Sequence, residues 1–586
     1  MVCCLVSATG KRVPMIPPSQ SDEPERSATL CGVYQELPLL VLTEGWMTLS
    51  GEGANASIVI QHQVFAPYLA SKRWFAAKGR RIERVEIVES GELKSSSGSW
   101  LLTIIEVRCA GMEPQLYFLP LAICWEEEIS EEKRVVLAPW SLAKVRQKER
   151  VGFLYGAFGD NNFCRTLVLC MNQNLDLPMG KGAVAFRSSP VFGDLSISVE
   201  EPVRHPVLEQ SNTAVYFGNS LFLKGYRRLQ SGTNPEVVVG RFLTEESPFS
   251  QCVPVAGSME FHHHDGTVLT LGLLQSYVEN QGTGWNFSVD YLERFLTEAL
   301  SKPIAEGEGG EAESHGYFVL LMQTLGCRTA ELHQAFCRPT GNRTFEPEPI
   351  TPEDLTAWSS QLHAEMTTTL SELEKRVPGL SEELRTDALR LLSLRAALLR
   401  QTSPQALGTI SASKMRYHGD YHLGQVLLKE NDFIITDFEG EPARSMEERQ
   451  RKHSPLRDVA GMLRSISYVA AMATQHTRTE HPADSPRLAL LIQTWWRMAT
   501  DAFFKSYCQT IRGYPAAPLD AGELDRLIQF FVMEKALYEL RYEMDNRPDW
   551  LSIPLQGLLR TLDHRDAEKP GGCEMVTRIG ILGRYR

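Results

Sequence analysis

The sequence predicts an α+β fold in two lobes, the first rich in strands and the second helical. Three observations predict it. At 586 residues the chain exceeds what one ordinary core organises. Strand-type runs and a two-residue hairpin turn crowd the stretch before Trp285. Beyond it, apolar residues recur at helical spacing, interrupted by one small strand–loop–strand unit at 416–438.

Residues 1–36 are rich in Ser, Pro and charge and read as a disordered leader, with order expected from Leu37. Ile58–Ala70 has the spacing of an amphipathic helix and leads into SKRWFAAKGR at 71–80. Strand-type runs follow at Arg84–Glu89, Trp100–Arg108, Gln115–Leu121 and Val135–Ala138. Residues 37–205 are expected to form an N-terminal cap and an intermediate β-rich subdomain. Arg73, Trp74 and Lys78 within it suit packing and surface contacts.

Residues 206–285 are expected to form the core of the small lobe. Thr213–Phe217 and Ser220–Tyr226 flank Gly218-Asn219, a pair suited to a tight hairpin. Asn234-Pro235 opens a helix that runs through Phe242 and Leu243. Val268–Val278 reads as a further strand. Residues 286–586 then form the helical lobe, with helices at Asp290–Leu300, Tyr317–Ala335, Pro352–Arg376 and Ser381–Arg400. Residues 302–315 are a loop. The long helices stop at Ser403-Pro404 and resume from His453. Glu331 and His333 fall on a core helix and are assigned no chemistry.

Composition narrows the class. The net charge is −12, from 60 basic and 72 acidic residues, so a broad nucleic-acid-binding face is not expected. The 12 cysteines show no zinc-type spacing, which suits reduced thiols and a cytoplasmic protein. Lys11 and Arg12 follow the mildly apolar start rather than precede it, the wrong order for a signal peptide. No run reaches the roughly 18 apolar residues of a membrane span.

Chemistry concentrates in Tyr417-His-Gly-Asp420-Tyr-His422-Leu-Gly-Gln425, followed twelve residues later by Asp437-Phe-Glu439 across a hairpin. Phosphoryl transfer needs a base near the acceptor hydroxyl and hard oxygen ligands for Mg²⁺ on a nucleoside triphosphate. Asp420 suits the base. Gln425, in the place where Asn is commoner, and Asp437 suit the metal. His422 suits bracing of the loop by hydrogen bonding.

An upstream lysine must hold the α- and β-phosphates of ATP. Lys224, closing the second strand of the 213–226 hairpin, has that context. The turn before it, Glu209–Thr213, offers Ser211, Asn212 and Thr213 to cover phosphates. Glu236 is the early acid on the next helix and the candidate partner for Lys224, with Glu245 and Glu246 too far along. Backbone groups near Gln275, Tyr277 and Val278 would form the hinge that meets adenine. Taken together, these positions describe a bilobal protein-kinase-like fold.

With these residues in place, the chain resembles the bacterial maltokinases, ATP:maltose 1-phosphotransferases that include forms fused to trehalose synthase. The resemblance spans about residues 57–565. It rests on SKRWFAAKGR, FGDNNFCRTL, EQSNTAVYFGNSLFLKGYRRL, NPEVVVGRFL, HGDYHLGQVL, DFEGEPARSMEERQRKHSPLRDVAGMLRS and EKALYELRYEMDNRPDWLSIPLQGLL. It implies an aminoglycoside phosphotransferase-like fold with an N-terminal cap, and maltose 1-phosphate as a product that feeds α-glucan (glycogen) synthesis. It also implies Asp420 as base, Gln425 and Asp437 as metal ligands with Glu439 assisting, Lys224 as phosphate lysine, and trehalose synthase as a possible partner. The chain departs from the family at Val238, where an acid is usual. The leader has no counterpart in it.

A sugar site is expected on the helix at 534–543. Glu534, Lys535, Tyr538 and Tyr542 share much of one face and combine rings with charged hydrogen-bonding groups. His422 is placed beside this sugar. Asn546–Trp550 reads as a rigid turn that shapes the pocket or ends the helix and buries Trp550. Glu441 borders the acceptor, and Lys452 and His453 are within reach of phosphate or sugar. Asp458 is read as the acid that ties down the catalytic-loop backbone. Rival readings are a kinase for another sugar or an aminoglycoside, a pseudokinase that binds trehalose synthase, and a carbohydrate-binding module without turnover.

Overall fold

The computed structural model describes residues 37–43, 60–194, 201–206, 210–301 and 315–563. The leader at 1–36, most of the 302–315 loop, Ile58, Val59 and Glu209 lie outside these residues. Two compact units emerge. One runs to residue 245 and adds 253–278; the other holds 246–252 and continues from 279.

In the first unit an eight-stranded sheet collects β1 (Leu39–Val41), β2 (Ile82–Ser95), β3 (Gly98–Cys109), β4 (Gln115–Phe118), β5 (Leu121–Trp125), β6 (Ser141–Gln147), β7 (Arg150–Gly156) and one later strand. Side chains of β3 alternate between its faces. Leu102 and Ile104 enter a core with Phe163 and Leu167 of helix Asn161–Asn172, while Leu101, Ile105 and Val107 enter a second core with Ile60, Val64 and Phe65.

The seven-stranded sheet runs in the order β10 (Val203–Arg204), β11 (Thr213–Phe217), β12 (Leu221–Gly225), β15 (Val268–Ser276), β14 (Val255–His263), β9 (Gly182–Ser188), β8 (Asp176–Met179). It therefore draws strands from both sides of the boundary expected at residue 205. The remaining short strand, β13 (Arg228–Leu229), leaves this region to pair with β4.

The first unit includes the helices α1 (Ala66–Ser71), α2 (Glu131–Leu137), α3 (Asn161–Asn172) and α4 (Pro235–Arg241), with a further short turn of helix at Pro190–Asp194. Two of them correct the sequence reading. The run Val135–Ala138 is not a strand: its first three residues close α2, because the Ser130 side chain caps the helix at Lys133 N and Glu131 and Glu132 favour its N-terminus. The expected helix over 58–70 is a wide-turn segment, Ile60–Phe65, that passes into α1, where Pro67 opens the α-helical part.

The second unit holds α5 (Gly284–Ser301), α6 (Gly316–Phe336), α7 (Pro352–Arg376), α8 (Glu382–Ser393), α9 (Arg395–Gln401), α10 (Leu456–Glu480), α11 (Ser485–Thr510), α12 (Ala521–Asn546) and α13 (Ser552–Asp563). The single helix expected over 381–400 divides at Leu394. Ser403-Pro404 begins a short turn of helix, Pro404–Leu407, with Ser403 Oγ accepting from Ala406 N. Two small ladders, β16 (Glu348–Pro349) with β17 (Ser413–Lys414) and β18 (Val426–Lys429) with β19 (Asp432–Ile435), complete it.

Helix α10 positions the chemistry-bearing loop. Gly461 faces that loop, where a side-chain carbon would lie 2.5 Å from Tyr421 O. Glycine lets the helix approach this closely. Ser465 Oγ then accepts from Leu423 N at 3.1 Å.

Candidate active site

The first unit assembles one charged pair. Lys224 lies on β12, in register with Ala214 on one side and Leu273 on the other. Asn234 caps α4 by accepting from Glu236 N at 2.8 Å, which fixes Glu236 in the first turn. The Lys224 ammonium then donates to Glu236 Oε2 at 2.8 Å, and Tyr226 OH donates to the same oxygen at 2.7 Å. Glu236 is 1% exposed. Among the candidates for the partner of Lys224, the geometry selects Glu236.

The other positions expected around the nucleotide divide. Thr213 opens β11 and accepts from Arg227 Nε through its hydroxyl, with Ser211 and Asn212 in the turn before it. Gln275 is buried within the sheet, in register with Phe222 and Val255. Ser276 N and Tyr277 N donate to Pro254 O and Ser220 O at 2.9 Å. Those two amides are committed to the ends of the ladders with β14 and β12 rather than presented to an adenine ring. Val278 follows, half-buried.

The second unit builds the larger cluster. Asp458, at the start of α10, accepts from His418 N at 2.7 Å and Gly419 N at 2.9 Å. His333 Nε2 lies 3.2 Å from the same carboxylate, and its Nδ1 lies 3.0 Å from Tyr507 OH. His418 in turn bonds Thr436 O through Nε2 at 2.9 Å. The loop carrying Asp420 is thus tied to α10 and to the end of β19.

Asp420 is 6% exposed. Its Oδ1 receives the Lys535 ammonium at 3.2 Å, and its Oδ2 lies 3.9 Å from His422 Nε2. His422 Nδ1 accepts from Gly424 N at 3.0 Å, so the ring hydrogen sits on Nε2. Burial pushes the imidazole well below its ordinary range and keeps it neutral. That Nε2–H is buried and has no hydrogen-bond partner among the described residues. A single hydroxyl between Nε2 and Asp420 would satisfy it.

Gln425 donates its amide to Asp437 Oδ2 at 2.7 Å, so the two expected metal positions meet, with Glu439 two residues on. A half-turn of the amide would present its oxygen instead, giving a set of hard oxygen donors suited to Mg²⁺. Asp437 adopts φ +67°, a left-handed conformation rare for a residue with a side chain.

On α12, Lys535 bridges Asp420 and Glu441, the latter at 2.8 Å. Burial alone would lower the Lys535 pKa, but Glu441 and Asp420 hold the ammonium well above the ordinary lysine range. Glu534 is not open to a ligand: Arg457 holds it with two nitrogens at 2.8 and 3.0 Å, and Arg444 approaches at 3.4 Å. Arg457 also donates to Tyr417 OH at 3.0 Å. Tyr538 and Tyr542 stack at 6.5 Å between centroids, with Lys535 4.7 Å from the Tyr538 ring.

Arg444 and the double role of Arg457 were not anticipated from sequence; spacing alone does not tell which arginine reaches Glu534 from 77 or 90 positions away. Lys452 and His453 fall outside the cluster. Lys452 Nζ is held by Arg343 O and Glu348, and the His453 ring stacks on Trp358 at 4.0 Å. Trp550 ends the turn after α12 half-buried, with Arg547 5.1 Å from its ring.

Comparison with known proteins finds sugar-kinase relatives. Residues 68–160 match the maltokinase N-terminal cap domain family. Over 383 residues the chain is 25% identical to a glucosamine kinase of Streptacidiphilus jiangxiensis, covering 64% of this chain and 75% of the relative. A glucosamine kinase of Mycolicibacterium smegmatis is 24% identical over 370 residues, 62% of this chain and 80% of the relative. In fold, the chain is similar to a glucosamine kinase solved with glucosamine, ADP and inorganic phosphate, at a TM-score of 0.55 and 18% identity over 84% of this chain and 98% of that one. Among the described residues, no helix is long and apolar enough to cross a membrane.

Proposed function

We propose that this chain, a sugar kinase of the maltokinase and glucosamine kinase family, transfers the γ-phosphoryl group of ATP to a neutral sugar, maltose, at its anomeric hydroxyl. The observation that carries the reading is the 3.9 Å gap between Asp420 Oδ2 and the unpartnered His422 Nε2–H. Placed there, the acceptor hydroxyl donates its proton to Asp420 and accepts from His422. The oxygen is oriented and deprotonated by one pair of side chains. Lys535 keeps Asp420 ionised and ready to accept the proton. Lys224, held by Glu236, binds the α- and β-phosphates. Gln425, Asp437 and Glu439 would hold Mg²⁺, which neutralises charge on the transferring group when bound.

Charge supports a neutral acceptor. The carboxylates of Asp420, Glu441 and Glu534 are each paired with Lys535, Arg444 or Arg457. None is left to receive the ammonium of an amino sugar, and the Lys535 cation would repel it. The stacked Tyr538 and Tyr542 rings offer apolar faces to the C–H groups of a pyranose. Glucosamine is the second reading, favoured by the names of the relatives. A pseudokinase bound to trehalose synthase, which would make no ADP, is a further rival.

ADP release with Mg²⁺-ATP, measured against maltose, glucosamine and glucose, separates these readings. Maltose should be the preferred acceptor; preference for glucosamine would overturn the substrate assignment. Asp420→Asn should lower turnover by roughly 10²–10⁴-fold with nucleotide affinity retained. Unchanged turnover would remove Asp420 as the base.

A further inference from the structure

A cavity of about 300 Å³ in the helical unit opens between α8, α10 and α13, with Val532 of α12 at its wall. It holds none of the residues of the Asp420 cluster. Its volume is at the lower end of the range for small-molecule pockets.

The chemistry of its walls is specific. Three acids, Glu383, Asp387 and Asp549, face three arginines, Arg464, Arg478 and Arg560, so formal charge cancels. The charges are also already satisfied in part. Arg464 gives Nε and Nη2 to Glu539 at 3.0 and 2.6 Å. Arg478 lies 3.8 Å from Glu383, and Arg560 donates to Gln556. Burial and the neighbouring Glu383 raise the Asp387 carboxyl above its ordinary range. Between these groups stand amides and hydroxyls, including Gln475, Gln556 and Ser552. Gly557 leaves room for Arg464: a side-chain carbon there would lie 2.5 Å from Arg464 Nη1. Among the described residues, no aromatic ring lines the cavity.

An anion would find no uncompensated cation here, and an apolar molecule would strand these polar groups. A planar base would find no ring to stack on. A molecule with many hydroxyls matches donors and acceptors of both kinds without requiring net charge. We infer that this cavity is a second binding site, for a neutral polyhydroxylated ligand of the sugar class, separate from the acceptor site. The assignment does not depend on the reading of Asp420. It has a route to the acceptor helix, because the Arg464 partner Glu539 lies on α12, four residues beyond Lys535.

The test uses the full chain without nucleotide and titrates maltose, maltotriose and inorganic phosphate, with binding followed by calorimetry and ligand-observed NMR. Two sugar-binding events are expected. Lys535→Ala should remove one and leave the other. Asp387→Ala should weaken the other by about tenfold, the scale of one lost charge-assisted hydrogen bond. Ala471→Trp, which fills the cavity, should abolish it; Asp387→Ala keeps the test decisive if that variant does not fold. Loss of all sugar binding in Lys535→Ala would overturn the proposal. So would phosphate binding that Asp387→Ala strengthens, or sugar binding indifferent to both cavity variants.

Discussion

At the scale of single residues, the cluster depends on carboxylates that each serve several partners. Asp458 alone receives His418 N, Gly419 N and His333 Nε2. Asp458→Ala orphans buried donors, at about 1–3 kcal/mol for each group left unsatisfied. Thermal denaturation should show a large loss of stability, and turnover should fall with it. A variant with wild-type melting behaviour would show that the loop is held by something else. Glu236 invites a milder test. Glu236→Gln keeps the shape but removes the charge beside Lys224, so on the proposed reading ATP affinity should weaken by about tenfold in a binding titration; unchanged affinity would separate Glu236 from nucleotide binding. Sequence pointed to Glu236 only as the nearest acid, because Val238 occupies the position where the maltokinases that the chain resembles often carry one. The geometry works because Asn234, not a side chain farther along α4, sets where the helix starts.

At the scale of elements, the meeting of α10 with the Asp420 loop is a tight joint of the helical unit. Gly461→Ala would drive a methyl into Tyr421 O, and separating the two elements should cost about 1–3 kcal/mol. Urea denaturation measures the loss, and turnover should drop through displacement of Asp420. Much of this architecture was legible in sequence. The 213–226 hairpin, α7 and the β18–β19 hairpin announce themselves by a two-residue turn, a helical apolar spacing, and a polar tip between apolar runs. What stayed hidden was context. Val135 and Val136 look like strand residues, but they lie in a helix whose start is set by Ser130. The strands β5, β6, β7 and β9 were not separated from their surroundings: β5 pairs with a strand about 30 positions away, and the tight turns at Lys148-Glu149 and Gly180-Lys181 that join β6 to β7 and β8 to β9 lack the Asn-Gly or Asp-Gly signature. The pairings Lys535–Asp420 and Arg457–Glu534 span 115 and 77 positions, and no local pattern encodes them.

For the whole molecule, division into two compact units predicts unfolding that departs from a single cooperative step. Calorimetry should give a van't Hoff enthalpy below the calorimetric one; equality would argue for one cooperative block. Acid adds a second signature. Burial pushes the His453 imidazole down to about 4, below the roughly 6.5 of an unfolded chain. Between these values the unfolded chain binds the proton and the folded one does not. Stability present above about pH 6.5 is therefore lost progressively as pH falls toward 4. His453→Phe, which can keep the stack on Trp358, should flatten that part of the stability profile.

Asp437 carries one more implication. Its left-handed backbone costs of order 1–3 kcal/mol that glycine would not incur. Selection for robustness alone would favour glycine there, and Asp437→Gly should yield a chain that melts later yet no longer handles its nucleotide. Heat tolerance and usefulness pull in opposite directions at this position, so a library screened only for survival on warming would drift toward a sturdy but idle protein.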